Sequence, residues 1–184
     1  NPTARSRAGA SGLWQFMYST GRMFQLNVTS FIDDRHDPLK STEAACKYLK
    51  HLHGMYDDWN LALAAYNCGP GNVNKAIRRS GGKRNYWEIY RFLPRETRGY
   101  VPAFIAVNYL AEHGDEYGIF PVNIEASFFA TDTVHVNYLL TFKQIAERAQ
   151  VSEEQLKFLN PQYRFGIIPD DGQTHVLRLP ISVV

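Results

Sequence analysis

The chain has 184 residues, which is enough for one domain or for one domain with a small added module. Hydrophobic residues make up 45% and charged residues 21% of the sequence, a balance typical of folded globular proteins that argues against a disordered chain. The net charge of only +2 gives no indication of a nucleic-acid partner. No apolar run approaches the roughly 18–20 residues that span a bilayer.

The first part of the chain, up to about residue 113, carries the signals of helices. Asp37-Pro38 predicts a helix start, because Asp caps helix N-termini and Pro suits the first helical position. Residues 61–66 are apolar all round, so we expect a helix that is buried on every side. Either Asp58 or Asn60 can cap that helix.

Two further helices are predicted in this part of the chain. Asn72 is expected to cap a short amphipathic helix that ends at Ser80, where two glycines follow. Residues 96–113 predict a longer helix, which Pro102 should kink or shift. One side of the longer helix carries the apolar residues Tyr100, Phe104, Val107 and Leu110.

From about residue 114 the pattern changes to a short βααβ order. Alternating residues predict strands over 132–136 and 174–179, which can pair antiparallel. Between them lie predicted helices over 141–149 and 155–159, the second opened by a capping box that starts at Ser152. We therefore predict an α+β, mainly α protein in which a helical domain precedes a small βααβ module.

Three short segments carry the residues that suggest a function. They are the glycine-bearing turn 11–17, the end of the buried helix at 64–69 and the start of the long helix at 94–101. Taken singly, each has an ordinary structural interpretation: a surface amide at Gln15, a helix C-cap at Asn67 or an acid at a helix N-terminus at Glu96. Their occurrence together, in this order and spacing, favours a functional interpretation.

The three segments together resemble the soluble-lytic-transglycosylase domain of family 1 lytic transglycosylases, a goose-lysozyme-like fold, and within that family the membrane-bound lytic murein transglycosylase D type. The resemblance covers about Asn1–Glu112 and rests on the runs N-P-x-A-x-S-x-x-G-A-x-G-L-W-Q-F-M, A-Y-N-C-G-P-G-N-V and E-T-R-G-Y-V. It implies an enzyme that cleaves the MurNAc-β-1,4-GlcNAc bond of peptidoglycan without water and forms a 1,6-anhydroMurNAc end.

The same resemblance implies a cleft for glycan strands. The substrate-binding residues that it implies are Ser6, Gln15, Met17, Tyr66, Asn67, Glu96 and Tyr100. The first three would line the catalytic subsite, Tyr66 and Asn67 would form the cleft wall, and Tyr100 would close the site. These residue types suit sugars, because amides and hydroxyls bind the polar groups and aromatic faces cover the pyranose rings.

In the resembled family, the catalytic motif begins with Glu-Ser four residues ahead of the position of Asn1. We therefore expect the general acid/base Glu to lie outside this chain, which we interpret as an inactive fragment or processed form. In the implied mechanism, one Glu protonates the bridging oxygen and then takes the proton of the muramic C6 hydroxyl. Two alternatives stay open: a hydrolytic goose-type muramidase, and a peptidoglycan-binding protein without turnover.

Residues 131–180 contain the short runs Val134-His135-Val136, Ile145-Ala146, Val151-Ser152, Gln155-Leu156, Leu159-Asn160-Pro161 and Val176-Leu177-Arg178-Leu179-Pro180. Together these runs resemble a LysM module, a small peptidoglycan- and chitin-binding unit. Leu139-Leu140 replaces the Gly-Asp that borders the sugar groove in that family, so we expect a degenerate, structural module. These two leucines can instead pack against the first domain. The predicted domains are a transglycosylase domain over 1–118, a linker over 119–130 and a LysM-like module over 131–184.

The two cysteines leave two alternatives open. Cys46 lies on the helix before the buried helix and Cys68 lies at the end of the buried one, so antiparallel packing can bring them together. A periplasmic location would permit a disulfide between them. The other interpretation is a pair of buried free thiols, each of which packs as a small hydrophobic residue.

We expect neither a metal nor a cofactor. The polar loop 33–37 lacks the spacing of a calcium loop, and its aspartates are interpreted as helix caps. His135 and His175 are expected at the surface or at a strand edge rather than as ligands. The expected partners are peptidoglycan glycan strands and no nucleic acid. We expect a monomer in the periplasm or cell envelope, with membrane association only through a lipid anchor outside this chain, as in an outer-membrane lipoprotein.

Overall fold

The computed structural model describes residues 1–122 and 130–183. The helices are α1 (Tyr18–Met23), α2 (Pro38–Tyr56), α3 (Trp59–Cys68), α4 (Pro70–Arg79), α5 (Tyr86–Ile89), α6 (Arg95–Glu112), α7 (Phe142–Ala149) and α8 (Glu153–Leu159). The strands are β1 (Thr131–Val136), β2 (Leu140–Thr141), β3 (Ile167–Ile168) and β4 (His175–Pro180). The predicted α+β, mainly α class is confirmed. Within the described residues, none of the helices is both long and apolar enough to cross a membrane.

The described residues form two compact units. The first unit comprises residues 1–45 together with the described residues from 130 onward, and the second unit comprises residues 46–122. Residues 123–129 of the predicted linker lie outside the described residues. The domain boundaries predicted from the sequence stay a prediction.

Helix α3 forms the centre of the core of the second unit. Its residues 61–65 are buried, as their apolar pattern predicts. Of the two predicted capping residues, Asp58 is the one used, because its Oδ1 accepts a hydrogen bond from the backbone N–H of Leu61 at 2.8 Å. The buried residues packed in this cluster include Leu52, Val73, Tyr86, Ile89 and Val101.

The start of α4 differs from the prediction. The helix begins at Pro70 with Gly69 as its N-cap, rather than after Asn72. Proline at the first helical position costs no hydrogen bond, so the helix extends back to it. Asn72 lies inside the first turn, where its Nδ2 donates to the carbonyl oxygen of Cys68 at 2.8 Å.

Helix α6 accommodates Pro102 in its interior. A proline at this position has no N–H to donate to the carbonyl oxygen of Arg98, four residues earlier. The hydroxyl of the buried Tyr86 donates to that carbonyl oxygen at 3.0 Å and so replaces the missing partner. The apolar side predicted on this helix is exposed, at 45% for Phe104 and 65% for Val107.

The C-terminal module has the predicted βααβ order. Strands β1 and β4 pair antiparallel with Thr131 opposite Pro180 and Val136 opposite His175. The sequence did not predict the short second pair of strands, β2 and β3. At Ser152, the hydroxyl oxygen accepts from the N–H of Gln155 as expected.

Two predictions for the module need correction. His175 is only 8% exposed and its Nε2 lies 2.9 Å from Asp171 Oδ1, because β4 turns this residue inward, whereas His135 is exposed as predicted. The second correction concerns Leu139, which was expected to pack against the first domain together with Leu140. Leu139 is 59% exposed, whereas Leu140 packs on the hydrophobic cluster of the first unit. That cluster joins module residues with one residue of the N-terminal segment: Ile32, Val136, Phe142, Ile145, Val151, Leu156, Tyr163, Ile168, Leu177 and Leu179.

We expect Leu156→Ala to destabilise the first unit strongly. Leu156 is 0% exposed, so truncation removes buried apolar contacts and leaves a cavity, at a cost of about 2–5 kcal/mol in free energy of unfolding. The matched variant Leu139→Ala truncates an exposed leucine of the same module and should change this free energy by less than about 1 kcal/mol. Urea unfolding followed by circular dichroism measures both, and equal losses would contradict the assigned core.

Candidate functional site

The first group of predicted site residues lies on the N-terminal loop, residues 4–17. A tight turn closes within it, because Ser11 and Phe16 exchange two backbone hydrogen bonds of 3.1 Å. Gly12 has φ +86°, and a Cβ at this position would lie 1.8 Å from the carbonyl oxygen of Arg35. Only glycine therefore fits, and its presence brings the turn directly against the backbone of Arg35.

Gln15 is exposed at the tip of this turn. Its backbone adopts φ +50°, which is uncommon for a residue with a side chain. Its Nε2 donates to the carbonyl oxygens of Gly12 at 2.7 Å and Ala4 at 3.3 Å. Among the described residues, Oε1 of Gln15 has no hydrogen-bond partner. The amide is thus held by its nitrogen, and its exposed oxygen can accept a hydrogen bond from a ligand.

Ser6 and Met17 flank the turn. Ser6 is half-buried and its hydroxyl oxygen accepts from the N–H of Ala10 at 2.9 Å, which orders the approach to the turn. Met17 is 44% exposed and is the N-cap residue of α1. The same loop is attached to α2, because Trp14 Nε1 donates to Thr42 Oγ1 at 2.8 Å. Three predicted residues, Ser6, Gln15 and Met17, thus share one ordered loop.

A buried ionic cluster lies beneath this loop. Asp33 is 1% exposed, and its two oxygens accept from Arg35 Nε at 2.9 Å and Arg35 Nη2 at 2.8 Å. A second arginine, Arg164 of the C-terminal module, donates to Asp33 Oδ2 at 2.8 Å. The remaining guanidinium nitrogen of Arg35, Nη1, donates to the carbonyl oxygens of Phe16 at 3.2 Å and Gly9 at 3.3 Å.

The electrostatics of the cluster fix its charge state. Burial by itself raises the pKa of Asp33, but the hydrogen bonds from Arg35 and Arg164 outweigh burial and hold the pKa at about 2. Burial lowers the pKa of His36, and the Asp33 charge opposes that effect. His36 Nε2 lies 2.8 Å from the hydroxyl oxygen of Ser11 and ties the turn to this loop a second time.

The capping role predicted for the aspartates of this loop is correct for one of them. Asp37 Oδ1 accepts from the N–H groups of Leu39 and Lys40 and caps α2. Asp33 instead bonds two arginines. Asp34 is buried and bonds Lys40 Nζ at 2.9 Å and the N–H of Asn27 at 3.0 Å. Sequence reasoning did not identify the pairing of Asp33 with Arg35 or with Arg164. The second pair spans 131 residues, and such a distance leaves no local pattern.

The second group of predicted site residues lies where α3 ends and α6 begins, within the second unit. Asn67 does not cap its helix, since Gly69 is the C-cap, and its Oδ1 accepts from Thr97 Oγ1 at 2.7 Å. Because this bond involves the oxygen of the Asn67 amide, the Nδ2 group is the part of the amide that can donate to a ligand. Thr97 is buried and was not predicted, although it stands directly beside Glu96 in the motif.

Tyr66 and Tyr100 form the aromatic part of this second group. Burial raises the pKa of Tyr66 well above its usual range, and the neighbouring Tyr100 adds to the shift. Burial also raises the pKa of Tyr100. The ring of Tyr66 lies 5.3 Å from that of Tyr48 at an angle of 43°. Both phenols therefore stay neutral at physiological pH and can donate a hydrogen bond to a sugar oxygen.

The remaining predicted residues of the second unit are Glu96, Cys46 and Cys68. Glu96 is exposed in the first turn of α6. Of the two alternatives for the cysteines, the structure has free thiols, with Cys46 exposed and Cys68 half-buried. Burial raises the pKa of Cys68, and a hydrogen bond with Thr97 opposes the shift. In the part of the chain that the structure describes, no group of three or more His, Cys, Asp or Glu could hold a metal ion.

The buried ionic cluster predicts a loss of stability in acid. The pKa of Asp33 is about 2 in the folded protein against 3.8 in the unfolded chain, so its contribution is complete above about pH 4 and is lost as pH falls towards 2. The expected decrease in free energy of unfolding is about 2 kcal/mol. Urea unfolding at several pH values measures it. Asp33→Asn should lose this pH dependence, whereas Asp170→Asn, at an exposed position, should keep it.

Comparison with known families identifies two domains. The transglycosylase SLT domain family matches residues 1–89. The family described as the lytic transglycosylase MltD, LysM-like domain matches residues 130–184. Ser6, Gln15, Met17, Tyr66 and Asn67 lie within the first match, whereas Glu96 and Tyr100 lie beyond it.

Similar proteins carry transglycosylase names. Membrane-bound lytic murein transglycosylase D of Escherichia coli K12 is 34% identical over 182 residues, which cover 96% of this chain and 39% of that protein. Soluble lytic murein transglycosylase of Escherichia coli K12 is 32% identical over 112 residues, 58% of this chain and 17% of that protein. The chain thus spans well under half the length of these relatives.

A solved structure, the 70 kDa soluble lytic transglycosylase from Escherichia coli, is 33% identical over 55% of this chain and 17% of its own, with a TM-score of 0.46. The two family matches together cover most of the chain and leave a gap only between residues 89 and 130. The chain therefore carries a transglycosylase SLT domain followed by the LysM-like domain of membrane-bound lytic transglycosylase D.

Proposed function

We propose that this chain is the glycan-binding part of a peptidoglycan lytic transglycosylase, an enzyme that cleaves the MurNAc-β-1,4-GlcNAc bond and forms 1,6-anhydroMurNAc. The observation that carries the proposal is the order of the two matched domains, an SLT domain followed by the LysM-like domain of a lytic transglycosylase. The activity belongs in the periplasm or cell envelope. The protein acts there as a monomer, and a lipid anchor outside this chain accounts for membrane attachment.

The geometry of the N-terminal loop supports a sugar-binding role. Gln15 presents an outward Oε1 from an amide whose nitrogen is already bonded within the loop. An acceptor that is ordered before binding suits the hydroxyl and N-acetyl N–H groups of an aminosugar, because little side-chain entropy is lost on contact. Met17 adds an exposed apolar surface beside it for the less polar face of a ring.

The residues on α3 and α6 offer the complementary chemistry. Tyr66 and Tyr100 are neutral phenols, and Asn67 is oriented by Thr97 so that its amide nitrogen is the free donor. Donors and aromatic faces of this kind bind sugar oxygens and pyranose rings. We propose that these residues contact a glycan strand, as do Ser6, Gln15 and Met17 of the first unit, and that Glu96 also contributes to binding.

Two carboxyl groups of the chain are poor candidates for the general acid. Asp33 has a pKa of about 2 and is therefore ionised at neutral pH, with Arg35 and Arg164 bonded to its oxygens. Glu96 is exposed, whereas a carboxyl that must be protonated first and act as a base later needs burial to raise its pKa. We propose that the general acid/base is the Glu that the family resemblance implies four residues ahead of Asn1.

Product analysis tests this assignment. The 184-residue chain is expected to bind isolated glycan strands and to release no product, whereas the full-length protein should release 1,6-anhydromuropeptides, identified by mass spectrometry. Anhydro product from the 184-residue chain would contradict the position assigned to the acid. Reducing muramic ends from the full-length protein would favour the goose-type hydrolase, and binding without turnover in both would favour a peptidoglycan-binding protein.

The role of Gln15 has a matched control within the chain. Gln15→Ala should weaken the affinity of the 184-residue chain for glycan strands about tenfold, because it removes an ordered acceptor. Gln150 is also an exposed glutamine with positive φ, +54° against +50°, so Gln150→Ala imposes a similar backbone cost at the end of α7. Calorimetric titration compares the two variants, and equal affinities for the glycan would remove Gln15 from the site.

A further inference from the structure

The C-terminal module is attached to the loop 31–37 by two layers of contact. The first layer consists of two backbone hydrogen bonds. The N–H of Asp33 donates to the carbonyl oxygen of Gln162 at 2.9 Å, and the N–H of Arg164 donates to the carbonyl oxygen of Phe31 at 2.7 Å. We call these bonds the backbone layer. Between these bonds, Ile32 enters the hydrophobic cluster of the module. This layer involves no charged side chain.

The second layer is the Arg164 side chain, and it reaches the same carboxylate as Arg35. Arg164 Nη2 and Arg35 Nη2 both lie 2.8 Å from Asp33 Oδ2. Asp33 is 1% exposed, whereas the Arg164 side chain is 35% exposed. Arg164 thus covers the open side of a carboxylate whose inner side is occupied by Arg35.

Arg35 connects this carboxylate to the N-terminal loop. Its Nη1 bonds the carbonyl oxygen of Phe16, which closes the turn behind Gln15, and that of Gly9 on the other side of the turn. The carbonyl oxygen of Arg35 also packs against Gly12. The position of the Arg35 guanidinium therefore determines where the turn lies, and Asp33 determines the position of that guanidinium.

We propose that Arg164 is a positioning residue for glycan binding: through Asp33 and Arg35 it holds the turn 11–16 and the exposed amide of Gln15 in their binding geometry. The LysM-like module thereby contributes to the glycan site of the N-terminal loop through this ionic contact. This inference rests on the proposed function. Without Arg164, water reaches Asp33 Oδ2 and the carboxylate that holds the Arg35 guanidinium is less firmly fixed. The turn then loosens, while the backbone layer keeps the module attached.

The test compares Arg164→Ala with Lys157→Ala, which breaks an exposed ion pair to Glu153 of the same module, away from this loop. Two quantities are measured on the 184-residue chain: amide hydrogen exchange over residues 9–16 and affinity for isolated glycan strands. Arg164→Ala should speed exchange in the turn and weaken glycan affinity, each about tenfold, with β1 and β4 still protected. Lys157→Ala should change neither quantity.

Arg164→Lys retains the positive charge on a single ammonium nitrogen in place of the planar guanidinium, and should recover part of both losses, which a purely structural defect of the module would not show. Unchanged exchange over residues 9–16 in Arg164→Ala overturns the inference, and so does the absence of any recovery in Arg164→Lys. If the unmodified chain binds no glycan strands, the proposed function fails. Hydrogen exchange alone then decides whether Arg164 positions the turn.

Discussion

A single buried carboxylate organises the first unit. Asp33 is enclosed by the protein and yet ionised, which is tolerable only because Arg35 and Arg164 neutralise it and donate to both oxygens. Buried ion pairs of this kind add little net stability, because desolvation offsets much of their attraction. Their effect is on geometry. The Asp33 carboxylate bonds the guanidinium groups of Arg35 and Arg164, and the Arg35 guanidinium in turn bonds the turn that carries Gln15.

The two groups of proposed glycan-binding residues owe their order to different forces. The N-terminal loop has few apolar contacts at its tip and depends on hydrogen bonds to Arg35 and on the close approach of Gly12. The residues on α3 and α6 depend on a hydrophobic core, with Asn67 oriented by a neutral bond to Thr97. Acid is therefore expected to loosen the first group through Asp33 and to leave the neutral bonds of the second group in place.

Local sequence patterns predicted the helices and strands, but they could not predict contacts between residues that are far apart in the sequence. The burial of residues 61–65 and the antiparallel strands β1 and β4 follow from neighbouring residues, and each was predicted correctly. For the cap of α3, the sequence left Asp58 and Asn60 open, and the structure uses Asp58. The bond from Tyr86 that accommodates Pro102 joins residues whose partnership exists only after folding. The same holds for Arg164 and Asp33, which are far apart in the sequence and meet only in the folded protein.

The turn after β1 is attached to the rest of the first unit through Leu140. This side chain packs on the hydrophobic cluster that also contains Ile32 of the N-terminal segment. The apolar side chains of the module therefore pack against Ile32 of the loop 31–37. Because that loop also carries Asp33, a change in the module is transmitted to the turn at Gln15 along covalent and ionic contacts of one compact unit.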